Sequence, residues 1–119
     1  MFKELLQEVV DGTEGGIAAL IMGYDGIPLD NYVRDDRSFD VESIGMEFSV
    51  VLKSIQNAAE MLDAGGAQEV AIKAERMTTL LRYLSSEYFV AVALAPEANL
   101  GKARFLLRTR ASKLAEALS

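Results

Sequence analysis

The residues that could carry out chemistry are few in this chain. No His is present, so the commonest general base and metal ligand is missing. No Cys is present either, which removes thiolate nucleophiles, thiolate-held zinc or iron–sulfur sites, and disulfides. Ser85 and Ser86 sit in a predicted turn with no base partner in view. Asp30, Asp35, Asp36 and Asp40 form an acidic loop that could collect a hard cation. Their spacing does not match a calcium-binding loop, and a solvated loop is the plainer reading. Gly101-Lys102 has a faint phosphate-loop look, but Ala103 stands where Ser or Thr is needed and no strand-Gly-x-x-x-x-Gly-Lys context precedes it. Gly12, Gly15 and Gly16 lack the dinucleotide fingerprint. No catalytic residue, cofactor or metal ligand is therefore assigned, and the chain reads as a non-enzyme.

Composition narrows the partners. At 119 residues, half of them hydrophobic and a quarter charged, the chain reads as one globular domain spanning residues 1–119, with little room for a deep internal cavity. No apolar run approaches the ~20 residues that cross a bilayer, and Met1-Phe2-Lys3-Glu4-Leu5 lacks the basic lead of a signal peptide. A cytoplasmic location without membrane insertion follows by default. The net charge of −6 argues against nucleic acid as a partner. Five of the 12 basic residues, Lys102, Arg104, Arg108, Arg110 and Lys113, nevertheless share one C-terminal helix. That run is either a solvated face or a surface that steers an acidic partner.

The elements follow from hydrophobic spacing. Phe2, Leu5, Leu6, Val9 and Val10 mark an amphipathic first helix that ends at Gly12. Ile17 to Met22 is an unbroken apolar strand, and Tyr24-Asp25-Gly26 turns it into an alternating strand whose early Pro28 places it towards an edge. A long helix runs from Asp40 to Ala64, with Asp40 as N-cap, Phe39 as a staple against Ile44, and Gly65-Gly66 as its stop. Three strands follow, Glu69–Glu75, Met77–Leu84 and Tyr88–Ala95. Asn99 caps a final helix, Leu100–Leu118, with Leu100, Ala103, Leu107, Leu114 and Leu118 on its core stripe. The fold class is α+β: helix-strand-strand-helix-strand-strand-strand-helix, a five-stranded antiparallel sheet with the middle helix on one face and the terminal helices on the other.

The middle helix has two usable faces. Val41, Ile44, Phe48, Val51, Leu52, Ile55, Ala59 and Leu62 form a stripe for the core. Opposite them, Ser43, Met46, Val50, Ser54, Asn57 and Met61 form a line without charge, where a helix facing only water should carry Lys and Glu. A second copy of the chain is the simplest cover for that line, against the plainer reading of scattered exposed apolar residues. On the last helix Phe105 points off the core stripe among basic residues. It is either an anchor for a partner or tucked against the first helix.

Together these features resemble the roadblock/dynein light-chain domain family, in the style of its prokaryotic single-domain members and with a profilin-like fold. The element order matches over the whole chain. Tyr24-Asp25-Gly26-Ile27-Pro28-Leu29 resembles the family's first hairpin, and Asn99-Leu100-Gly101-Lys102-Ala103-Arg104 resembles the Asn-Leu-Gly opening of its last helix. Glu75-Arg76 departs from the Gly that family members often carry in that hairpin. The resemblance implies a homodimer, or a heterodimer with a paralogous roadblock chain, built from the middle helix and the third strand. The interface would then hold Met46, Val50, Ser54, Asn57 and Met61 together with Val70 and Ile72 of an edge strand. It further implies a non-catalytic regulator or adaptor of a small Ras-like GTPase, with Phe105, Arg104 and Arg108 as contacts for the partner. A purely structural scaffold or motor light-chain subunit is the alternative. A third reading, a small-ligand sensor, needs a pocket, for which two helix-covered sheet faces leave little space.

Overall fold

The computed structural model describes residues 2–35 and 40–119. Asp36 of the acidic loop and the staple residue Phe39 lie outside the described residues. The order of elements is α1 (Phe2–Asp11), β1 (Gly16–Gly23), β2 (Pro28–Val33), α2 (Val41–Met61), β3 (Glu69–Lys73), β4 (Thr78–Tyr83), β5 (Tyr88–Leu94) and α3 (Leu100–Leu118). All pairings are antiparallel, and the sheet order is β2-β1-β5-β4-β3. The strands that are apolar on both sides, β1 and β5, are the two buried central ones, paired from Gly16–Leu94 to Gly23–Tyr88. Strands β2 and β3 form the two edges.

Two cores flank the sheet. Leu6, Val9 and Val10 of α1 and Ala103, Leu107 and Leu114 of α3 close one face over Ile21, Leu80 and Val92. Val41 and Leu52 of α2 close the other over Leu20, Met22, Leu81 and Phe89. Asp11 ties α1 to the β2 edge by accepting the Tyr32 hydroxyl at 2.9 Å, while Arg34 donates to the Val10 and Thr13 carbonyls.

The caps expected at helix starts are present. The Asp40 carboxylate accepts the Glu42 N–H and the Ser43 hydroxyl, and the Asn99 side chain accepts the Lys102 N–H at 3.0 Å. Gly26 takes a positive φ of 88° in the first hairpin, where the Asp25 carboxylate accepts the Ile27 N–H. The second hairpin closes without glycine: Ala74 N–H donates to Met77 O at 2.9 Å, and neither Glu75 nor Arg76 adopts a positive φ.

The end of α2 differs from the sequence expectation. The helix stops at Met61 rather than Ala64, because Asp63 takes the left-handed conformation (φ 57°). Ala64 N–H reaches back to Ala59 O and Asp63 N–H to Glu60 O, which satisfies the last carbonyls before Gly65 is reached.

The core face of α2 is also turned relative to the expected stripe. Gly45 and Ser49 are buried, whereas Val51 is 40% and Leu62 78% exposed. Gly45 is the reason. It lies directly against Leu20 and Met22, where any Cβ would overlap their side chains, so the helix axis comes closest to the sheet there. Ser49 tolerates burial because its hydroxyl donates to Met46 O at 2.7 Å.

Candidate functional site

Helix α2 carries the chain from the β2 edge of the sheet to the β3 edge, and among the described residues it is the sole helix of its face. Five strands span about 19 Å between outer strand axes at ~4.8 Å each, whereas a helix with its side chains covers ~10–12 Å. The packing of α2 is chiefly against β1 and β2. The same face of β4 and β3 is therefore left partly open, and Val70, Ile72, Met77 and Tyr83 are only half-buried there. The opposite face is covered by two helices, α1 and α3.

The outer line of α2 is exposed as well. Met46 is 56%, Val50 66% and Met61 87% exposed, and Ser43, Ser54 and Asn57 are exposed beside them. On edge strand β3, Val70 and Ile72 pair with Leu81 and Thr79, and they pack on the α2 side of the sheet. An uncharged helix line and an unpaired strand edge are thus both exposed. Of the sequence-derived set, Met46, Val50, Ser54, Asn57 and Met61 lie on the first and Val70 and Ile72 on the second. Val51 and Leu62, assigned from spacing to the core, add exposed apolar surface to the helix.

The expected partner contacts on α3 separate into two kinds. Arg104 is held at 2.6 Å by Glu69 of β3, which also faces Arg82 at 3.8 Å. Arg110 is held at 3.0 Å by Glu8 of α1. These two basic residues fasten α3 to its neighbours. Phe105 is 53% exposed rather than tucked under α1, and the Arg108 guanidinium lies 5.8 Å from its ring centroid. Lys102, Arg108 and Lys113 have no ion pair among the described residues, and of these Arg108 lies beside Phe105.

An open groove of about 650 Å³ runs between α2 and the β4–β5 turn. The sequence predicts little space for a pocket between two helix-covered sheet faces; the groove is open and larger than that, because one helix does not cover five strands. Tyr24 and Tyr83 form its aromatic wall, with ring centroids 6.0 Å apart, and Tyr24 rests in turn on Phe89 at 5.4 Å. Both phenol protons are committed: Tyr83 donates to Leu52 O at 2.6 Å and Tyr24 to Ser85 O at 3.4 Å. Burial pushes both tyrosines above the ordinary phenol range, and for Tyr24 the neighbouring Tyr83 adds to the rise. Sequence reasoning missed this groove. Tyr24 and Ser85 did stand out, but only as turn residues.

Among the described residues no three carboxylates are gathered to hold a metal ion. Of the acidic loop, Asp40 is used as a helix cap and Asp30 accepts the Asn31 N–H. Among the described residues no helix is long and apolar enough to cross a membrane.

No protein-family model matches the chain, and no curated protein matches it significantly. Solved structures do. MglC from Myxococcus xanthus is 35% identical, with 96% of each chain covered and a TM-score of 0.69. A roadblock/LC7 domain from Streptomyces avermitilis, 15% identical, superposes with a TM-score of 0.85 over 98% of this chain and 96% of that one. Two MglB structures give the same score over 95% of this chain and 84% of theirs. One is the gliding protein MglB of Thermus thermophilus at 20% identity, the other MglB in a tetrameric arrangement at 21%. The lower identities speak for the fold, the MglC match for descent. Element order, sheet order and full-length similarity agree, and the chain belongs to the roadblock/LC7 domain family.

Proposed function

We propose that this chain is a non-catalytic dimeric regulator or adaptor, a single cytoplasmic domain over residues 1–119 that binds a small Ras-like GTPase and biases its nucleotide cycle or location. The observation that carries the reading is the joint exposure of an uncharged α2 line, Met46, Val50, Ser54, Asn57 and Met61, and of the edge strand β3 with Val70 and Ile72. Antiparallel pairing of two α2 helices would bury the first, and pairing of two β3 strands would join the sheets and satisfy both edges. MglB in a tetrameric arrangement shows that a chain of this fold assembles, which supports self-association here.

The GTPase would be engaged by surfaces the dimer leaves free, with Phe105 as anchor and Arg108 beside it. Arg104 is held by Glu69 rather than free to reach across, and positioning of the GTPase's own groups is the favoured route for any effect on hydrolysis. The test is to add the chain to a small Ras-like GTPase from its own source and follow GTP hydrolysis and nucleotide exchange. A changed rate that Phe105→Ala lowers supports regulation. Binding with no rate change favours the scaffold alternative, and no binding rejects the GTPase partner.

A further inference from the structure

The groove between α2 and the β4–β5 turn has an uneven supply of polar groups. Lys53 is its one charged lining residue and makes no ion pair among the described residues. One turn further along α2, the Gln56 side chain is locked: its Oε1 accepts the Ala67 N–H at 2.8 Å, so its NH2 group is the end left to donate. The Ser86 hydroxyl is also unengaged among the described residues. The phenol protons of Tyr24 and Tyr83, in contrast, are spent on backbone carbonyls. The groove thus presents donors over an aromatic and aliphatic floor of Tyr24, Tyr83 and Leu52, and among the described residues no carboxylate lines it.

Beyond Tyr24 and Ser86 lies a smaller depression of about 240 Å³ that Asp25 and Glu87 line. An anion is therefore repelled at that end and drawn to the Lys53 end, although the protein as a whole carries a charge of −6. The volume falls in the ~300–1,000 Å³ range of small-molecule sites, with a mainly apolar surface and a few convergent polar groups.

We propose that this groove is a binding site for a small aromatic carboxylate, its ring against Tyr24 and Tyr83 and its carboxylate held by Lys53 and the Gln56 amide. The site is separate from the proposed GTPase contacts on α3 and does not depend on them, and it shares Asn57 alone with the proposed dimer line of α2. An effector bound there would touch both α2 and the β4–β5 turn, and so would link the position of the helix to a metabolite.

The probes are phenylacetate and its neutral amide, phenylacetamide, titrated into the full ¹⁵N-labelled chain. Shifts are expected at Gln56, Ala67, Leu84, Ser85 and Ser86, with phenylacetate bound about two- to fivefold more tightly than the amide, the advantage of one exposed ion pair. Lys53→Gln should weaken phenylacetate by about the same factor and leave the amide unchanged. Lys53 is exposed, so this variant keeps the fold. Equal binding of acid and amide overturns the proposal, as do shifts confined to the Lys102, Arg108 and Lys113 surface. So does the lack of saturable shifts at about 10 mM probe, weaker than a specific site of this size.

Discussion

Val50→Asp separates the proposed dimer from the fold. Val50 is 66% exposed on the single chain, so about two-thirds of its side chain is free to be buried by a partner. Full burial of a Val is worth ~1.5–3 kcal/mol, which makes this share about 1–2 kcal/mol per protomer. Two-fold symmetry counts the residue twice, giving about 2–4 kcal/mol of apolar burial lost per dimer. The two new carboxylates would also approach one another across the axis, and uncompensated burial of such charges adds several kcal/mol. Together these terms weaken the dimer more than about a thousandfold. The fold itself should change little, because Val and Asp have similar helix propensities and exposed positions shift stability by ~0.5 kcal/mol. Light scattering reads the outcome against a protomer of 13.0 kDa, with circular dichroism melting as the control for folding. The wild type should show twice that mass, and Val50→Asp the single mass with an unchanged spectrum. Phe105→Asp, on the other side of the molecule, should keep the double mass. A wild-type monomer at about 100 µM, far above the Kd of a stable dimer, refutes the reasoning, as does a Val50→Asp variant that stays dimeric.

Three further outcomes follow from the packing. Gly45→Ala would press a methyl group onto the buried Leu20 and Met22, and overpacking of this kind costs ~1–3 kcal/mol, seen as a lower midpoint in urea although Ala is the better helix former. Tyr24 and Tyr83 have folded pKa values raised above the ordinary ~10, so their contribution to stability is complete below that pH and falls away as pH rises through the folded values. Thermal midpoints should therefore drop above about pH 10, and Tyr24→Phe should make that drop shallower; equal slopes for both proteins would contradict the burial argument. Arg104→Ala breaks a pair with Glu69 that is partly open to water, so it should cost no more than ~1 kcal/mol, and the loss should shrink in high salt.

Much of the chain was legible from local pattern. Hydrophobic period separated helices from strands, and Asp40, Asn99 and Asp25-Gly26 marked two helix starts and a hairpin, because caps and tight turns depend on residues only a few positions apart. The uncharged outer line of α2 was readable for the same reason: helical geometry alone puts Met46, Val50, Asn57 and Met61 on one side. The α2 terminus was not, since Asp63 took the left-handed position two residues ahead of Gly65, which is also at positive φ.

Tertiary structure decided everything that depends on distance along the chain. Insertion of β5 between β1 and β4 makes β3 an edge, and it brings Glu69 to Arg104 on α3. The close approach of Gly45 to Leu20 and Met22 rotates α2, burying Ser49 and exposing Val51. The groove belongs to this class as well. Leu52, Tyr83 and Tyr24 come from three separate parts of the chain, and the space between them exists because one helix is narrower than the sheet it crosses. Periodicity states which face of an element is apolar. How much of that face its neighbours cover is a matter of relative width and angle, and those quantities arise only when the elements pack.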